Sequence, residues 1–96
     1  MRKHSFEVWI AQELGVRAAL VYECLHSLCS EKAMRNADYH DGLFWVRISY
    51  KDFHKIFPYM SEDTICRALR KLKNEGLIVV AHYDENNGTT NWYATI

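Results

Sequence analysis

The segment FPYMSEDTICRALRKLKNEGLI, residues 57–78, constrains the fold more than any other part of the chain. It contains the only proline, Pro58, and a residue that precedes a proline is pushed away from helical angles, so a helix can run no further than about Ile56. Ser61 is a favourable N-cap for a new helix, and Gly76 fits the left-handed position just beyond the end of that helix. The segment therefore predicts two helices joined by a tight turn.

The second of these helices has two different faces. Successive side chains are about 100° apart, and three apolar residues lie within about 60° of Ile65 and must face the core: Ala68, Leu69 and Leu72. The far side is polar and holds most of the cations: Asp63, Arg67, Arg70, Lys71 and Asn74, with Thr64 at its margin and Ser61 at the cap. In a helix-turn-helix, such a face enters the major groove, where arginine can pair with guanine and lysine can hold a phosphate. We therefore predict that this polar set binds DNA.

The patterning of the whole chain predicts an order of elements. A helix is predicted over residues 6–14, capped by Ser5 and stopped by Gly15 in the left-handed conformation, and a core helix from Arg17 to about Ser30. A fraying segment and loop over residues 31–42 end in the turn Asp41-Gly42 and precede a strand over residues 43–48. There follow a short helix capped by Ser49 and Asp52, the turn and helix described above, and a hairpin formed by residues 77–83 and 91–96 around a polar tip at residues 84–89. This order is that of a winged helix-turn-helix. We predict one α+β domain over residues 1–96, mainly helical, in which the last hairpin of a three-stranded antiparallel sheet is the wing.

The charge balance limits the kinds of partner that the chain can bind. Twelve Lys and Arg offset twelve Asp and Glu, so a local patch must meet any nucleic acid or acidic surface. Zero net charge counts against strong, unspecific DNA binding. No apolar run approaches the roughly 18 residues that span a bilayer, and the three cysteines are expected to be reduced thiols. The composition favours a cytoplasmic protein.

Metal binding and catalysis find little support in the sequence. Cys24, His26 and Cys29 are two and five positions apart on a helix and point in different directions, so they cannot converge on one zinc ion. The other histidines have no metal spacing and no partnered nucleophile: His4, His40, His54 and His82. We expect no cofactor, no metal and no enzymatic activity. Large aromatic residues that could stack on bases are assigned to packing: Trp45, Trp92 and Tyr93.

Two alternatives to DNA contact remain open for the cationic helix. Acids in the first turn and cations in later turns also suit the dipole of a solvated helix, which needs no ligand. Alternatively, the domain docks another protein or dimerises, an interpretation favoured by the neutral charge and by Val8 and Trp9 near the start of the chain. Acids beside the cations, such as Glu62, Asp63 and Glu85, would favour docking. The position between a tight turn and a hairpin favours DNA contact.

Several groups of residues together resemble one family. The sequences DGLFWVRIS, FPYMSEDTICRALRKLKNEGLI and NWYATI resemble the N-terminal winged-helix domain of replication initiator, or replisome organiser, proteins of phages and other mobile elements of Gram-positive bacteria. The most specific parts are Asp41-Gly42 ahead of Trp45, the turn Phe57-Pro58-Tyr59 ahead of Ser61, and the pair Trp92-Tyr93. The likeness covers about Phe6 to Ile96.

The resemblance implies a function in replication initiation. It implies binding of double-stranded DNA at an origin and recruitment of host replication proteins, in the bacterial cytoplasm and with the nucleoid. A homodimer is a further candidate assembly. Many members of the family continue into a C-terminal region, so the chain is expected to be a stand-alone module or the N-terminal part of a longer protein. In the wing, Gly88-Thr89-Thr90 replaces the acid and arginine that usually precede a threonine, which leaves a phosphate contact from the tip open.

Overall fold

The computed structural model describes residues 6–81 and 90–96, and these form four helices and five short strands. In chain order they are α1 (Val8–Leu14), α2 (Val16–Arg35), β1 (Tyr39–His40), β2 (Leu43–Phe44), β3 (Val46–Arg47), α3 (Tyr50–Ile56), α4 (Glu62–Asn74), β4 (Ile78–Ala81) and β5 (Trp92–Thr95). The predicted α+β class and the winged helix-turn-helix order are confirmed, with the hairpin β1–β2 as an addition.

The main sheet has three antiparallel strands in the order β3–β5–β4. Tyr93 of β5 pairs with Val46 on one side and with Val80 on the other, so β5 is the central strand. Of its middle residues, Tyr93 is buried in the core that the sheet shares with the helices, and Ala94 is buried on the other face of the sheet. Strands β4 and β5 are the two arms of the predicted wing. The predicted tip, residues 84–89, lies outside the described residues.

The segment over residues 43–48, which is predicted to form one strand, instead contributes one strand to each of two sheets. Strand β2 pairs with β1 through a turn at Asp41 and Gly42, whose φ angles of 53° and 81° are both positive, as a type I′ hairpin turn requires. The chain changes sheet at Trp45, whose indole N–H donates to the His40 carbonyl at 2.8 Å. Strand β3 then joins the main sheet. The prediction of a loop before Asp41 was wrong, because β1 is too short to leave a period in the sequence.

The first two helices differ from the prediction at their ends. Helix α1 has Glu7 at its N-cap, and Ser5, the predicted cap, lies outside the described residues. Gly15 has a positive φ of 96° but an extended ψ of 158°, so it is not left-handed helical and alone links α1 to α2. Helix α2 continues to Arg35 through good helix formers and ends at Asn36, which has left-handed angles.

The helix-turn-helix forms as the capping residues predict. Ser49 and Asp52 complete a capping box: the Asp52 N–H donates to Ser49 Oγ at 3.2 Å, and the Ser49 N–H donates to Asp52 Oδ2 at 3.1 Å. In the turn that follows α3, the Met60 N–H donates to the Phe57 carbonyl at 3.0 Å. His54 Nδ1 lies 2.9 Å from the Met60 carbonyl oxygen, which can only accept, so this histidine ties α3 to the turn.

Helix α4 is delimited at both ends by its own residues. The side chain of Ser61 accepts from the Thr64 N–H at 3.1 Å and forms the predicted N-cap. Gly76 has a φ of 74°, and the Leu77 N–H donates to the Leu72 carbonyl at 3.0 Å, which confirms the Schellman ending. These local bonds fix where α4 starts and stops, and thereby which side chains its exposed face presents.

Candidate nucleic-acid interface

Helix α4 divides into a buried face and an exposed face, as the sequence predicts. It packs on α2, α3 and β4. The buried side chains are Ile65, Ala68, Leu69 and Leu72. The predicted DNA-binding residues lie on the rest of the surface: Ser61, Asp63, Arg67, Arg70, Lys71 and Asn74 are exposed, and Thr64 is half-buried. The structure therefore brings these residues onto one accessible face, and their contact with DNA stays a prediction.

Two hydroxyl groups lie side by side at the N-terminal end of this face. Ser61 Oγ is 2.9 Å from Thr64 Oγ1, in addition to accepting from the Thr64 backbone. Either hydroxyl can be the donor of this bond, so one O–H hydrogen is used between the two groups and the other can point outward. The cap can therefore hold α4 in place and still offer one hydroxyl to a ligand.

One acid lies on the cationic face and is paired there. Asp63 Oδ2 lies 3.0 Å from Arg67 Nη2, with both side chains more than two-thirds exposed. An exposed pair one helical turn apart stabilises a helix by only about 0.3–0.5 kcal/mol, so a phosphate can compete with it for the guanidinium group. Among the described residues, Arg70 and Lys71 form no ion pair. The face is thus partly neutralised at its start and positive further along.

A concave groove of about 540 Å³ runs along one side of α4. Its walls are the junction of α1 and α2, the turn residue Tyr59, and the Thr64–Lys71 side of α4. Three cations line it, Arg17 of α2 together with Arg67 and Lys71, and none of its described lining residues is acidic. Sequence patterning missed Arg17 and Tyr59, because only the packing of α2 on α4 brings them beside the helix.

On the opposite side of α4, a polar cluster fastens the helix to α3 and β5. The Cys66 thiol donates to the Tyr50 hydroxyl at 3.5 Å, and Asn91 Nδ2 donates to the Tyr93 hydroxyl at 3.2 Å. Tyr93 is 2% exposed, and burial raises the pKa of its hydroxyl. The Cys66–Tyr50 hydrogen bond thus joins α4 to α3, and the hydrogen bond between Tyr50 and Tyr93 joins α3 to β5.

The tryptophans, cysteines and histidine that the sequence offers as alternative site residues contact other residues of the domain. Trp45 is buried and Trp92 half-buried, so their packing is confirmed. Cys29 is buried with its thiol 3.9 Å from the Tyr93 carbonyl oxygen, Cys24 is half-buried, and the exposed His26 stacks on Tyr22. Over residues 6–81 and 90–96, the structure contains no group of three metal-ligating side chains and no helix with the length and apolarity of a membrane span.

The fold and the surface define the class of protein, a winged helix-turn-helix domain with an additional N-terminal helix. The chain is similar to a solved structure described as the N-terminal domain of a DNA binding protein, with a TM-score of 0.74 and 14% sequence identity. The similarity covers 99% of this chain and 74% of that chain, and at this identity it shows a shared fold. No protein-family model matches the chain, and no curated protein matches it.

Proposed function

We propose that the chain is a duplex-DNA-binding winged-helix domain that acts without catalysis, cofactor or metal. One observation carries the proposal: the face of α4 opposite its buried residues is exposed and holds Arg67, Arg70 and Lys71. Helix α4 is the second helix of the helix-turn-helix and begins at its N-cap Ser61, directly after the turn. The solved structure with the same fold is described as part of a DNA binding protein, which supports the proposal.

In this proposal, α4 lies in the major groove. Arg67 and Arg70 contact the DNA there, since a guanidinium group can donate two hydrogen bonds to guanine or bind a phosphate, and Asn74 can donate to and accept from adenine. Lys71 and the hydroxyls at the cap contact phosphates and fix the register. Because the net charge of the chain is zero, binding relies on this local patch and is weak and sensitive to salt.

The proposal is tested by measuring duplex binding by fluorescence anisotropy across a salt series. If 4 to 6 phosphates are neutralised, the logarithm of the affinity falls with the logarithm of the salt concentration with a slope of about −4 to −5. Absence of binding at low salt, or a flat response to salt, would overturn it.

The finer role that we propose is replication initiation of a phage or mobile element, by the N-terminal part of a longer protein or by a stand-alone module in the bacterial cytoplasm. Its support is the resemblance of the sequence. In the structure, Asp41-Gly42 forms a hairpin turn and Trp92-Tyr93 lies in the central strand, so these motif residues determine the fold more directly than the role. The role is tested by competition between the element's own origin and unrelated duplexes, and by co-purification with host replication proteins.

A second candidate function is protein docking or dimerisation. Three large apolar side chains are exposed at the start of the chain: Phe6, Val8 and Trp9, with Trp9 53% exposed. Such side chains in one short segment are more typical of an interface than of a solvated helix. Sedimentation of the parent and of Trp9→Ser tests this candidate. A concentration-dependent dimer that the substitution dissociates would support it, and a monomer at all concentrations would count against dimerisation.

A further inference from the structure

We infer that the groove beside α4 is a phosphate site that extends the DNA-binding surface onto α2, with Arg17 as its outermost contact. The inference rests on the proposed function, and its ligand is a phosphodiester of the DNA strand that borders the major groove. Arg17, Arg67 and Lys71 line this groove together. We call the three side chains and the depression between them the cationic groove.

The charge of the cationic groove is the first reason. Three positively charged side chains line it, and none of its described lining residues is acidic, although the chain as a whole is neutral. Asp63 pairs with Arg67 but is not among the lining residues. A local positive excess of this kind in a neutral molecule selects a ligand that is itself strongly anionic.

The walls of the cationic groove are the second reason. Leu14, Val16 and Leu20 form apolar parts of its lining, and apolar walls raise the strength of charge interactions by excluding water. Tyr59 and Thr64, which each carry a hydroxyl group, are also among its lining residues. Guanidinium, ammonium and hydroxyl groups around a concave surface are the groups that proteins use to hold DNA phosphates.

The position of the cationic groove is the third reason, and it favours DNA over an acidic peptide. Arg67 and Lys71 belong both to the exposed face of α4 and to the cationic groove. A helix with its side chains is about 10–12 Å across, and the major groove is about 12 Å wide, so α4 fills it. The surface on the flank of α4 then meets the sugar-phosphate backbone, and Arg17 lies on that flank.

The test compares Arg17→Gln with Arg35→Gln on a mixed-sequence duplex, by anisotropy across a salt series. Both arginines are exposed and belong to α2, but Arg35 lies in its last turn and pairs with Glu31 at 3.9 Å. Loss of one phosphate contact lowers the steepness of the salt slope by about one unit and the affinity by about eightfold near 0.1 M salt. We expect this change for Arg17→Gln, no change for Arg35→Gln, and the parent slope for Arg17→Lys.

The outcomes separate this inference from the proposed function. If Arg17→Gln keeps the parent slope while Arg67→Ala with Arg70→Ala weakens binding, the chain binds DNA but the cationic groove is not a phosphate site. If the parent does not bind duplex DNA at low salt, both are overturned. Loss of an acidic protein partner by Arg17→Gln, with DNA binding unchanged, would also overturn the inference. Circular dichroism checks that each variant is folded. We expect every variant to fold, because the substituted side chains are exposed.

Discussion

Asp63 and Arg67 form an ion pair at 3.0 Å on the exposed face of α4, so the proposed DNA-binding surface contains its own competitor for phosphate. In the proposed complex, the Asp63 carboxylate repels the DNA phosphates and holds the Arg67 guanidinium group away from them. The pair is too exposed to contribute much to stability. We therefore expect the pair to affect DNA binding more than stability.

The first prediction is that Asp63→Asn strengthens binding to a mixed-sequence duplex. The substitution removes one negative charge and releases Arg67, so the salt slope should steepen by about one unit if Arg67 then reaches a phosphate. The free energy of unfolding should change by less than about 1 kcal/mol, because only an exposed pair and a first-turn charge are lost. Anisotropy and urea denaturation measure the two effects.

Glu62→Gln is the matched control for this prediction. Glu62 is in the same turn and is exposed, and it forms no ion pair with the described residues. Its substitution changes the net charge by the same amount without releasing Arg67. An equal gain in both variants would show that net charge alone matters, and weaker binding by Asp63→Asn would contradict the competition between Asp63 and phosphate.

The second prediction concerns the core. Leu69 is 5% exposed on the buried face of α4, so Leu69→Ala should lower the free energy of unfolding by about 2–5 kcal/mol. The adjacent exposed Arg70 supplies the control, since Arg70→Ala should change it by less than about 0.5 kcal/mol. Urea denaturation measures both. A cost below about 0.5 kcal/mol for Leu69→Ala would mean that this residue is not in the core.

The third prediction is a loss of stability in acid through the capping box of α3. Hydrogen bonds from the backbone and side chain of Ser49 hold the pKa of Asp52 below its ordinary value of 3.8. A lowered pKa in the folded state contributes stability that is present above about pH 4 and lost as the pH falls through the folded pKa. Asp52→Asn should therefore be less stable than the parent near neutral pH and lose less on acidification.

Denaturation series at pH 7 and at several values below pH 4 measure this difference. Ser49→Ala should show part of the change expected for Asp52→Asn, because it removes the side-chain hydrogen bond to Asp52 Oδ2 but keeps the backbone hydrogen bond, which lowers the pKa of Asp52 more. If the two variants and the parent lost stability in parallel on acidification, the capping box would not be the origin of the acid sensitivity.

The sequence predicted those parts of the fold that local chemistry determines. Pro58, Ser61 and Gly76 carry the signals for the turn and for both ends of α4, and each signal acts within a few residues of the chain. The sequence predicts the Asp41-Gly42 turn but not the hairpin β1–β2 to which the turn belongs. Two-residue strands are too short for an alternating pattern, so the turn is the only local signal for this hairpin.

The candidate site also contains residues that the sequence predicts and residues that it does not. The exposed face of α4 follows from the helical period alone, so the sequence is enough to predict its residues. The pairing of Asp63 with Arg67 could be anticipated from their spacing of four residues. Arg17 could not, because it is distant in the sequence and reaches the site only through the packing of α2 on α4.

The central claim is tested most directly by the double variant Arg67→Ala with Arg70→Ala, with Arg35→Ala as a control outside the site. Both α4 side chains are exposed, so the fold should remain intact. A base-specific arginine is worth about 1–3 kcal/mol of discrimination, and a phosphate contact about one unit of salt slope. We expect the double variant to lose DNA affinity by one of these routes and Arg35→Ala to bind as the parent does. If the folded double variant binds duplex DNA as tightly as the parent but loses dimerisation or a protein partner, the exposed face of α4 is a docking surface and the DNA-binding account is wrong.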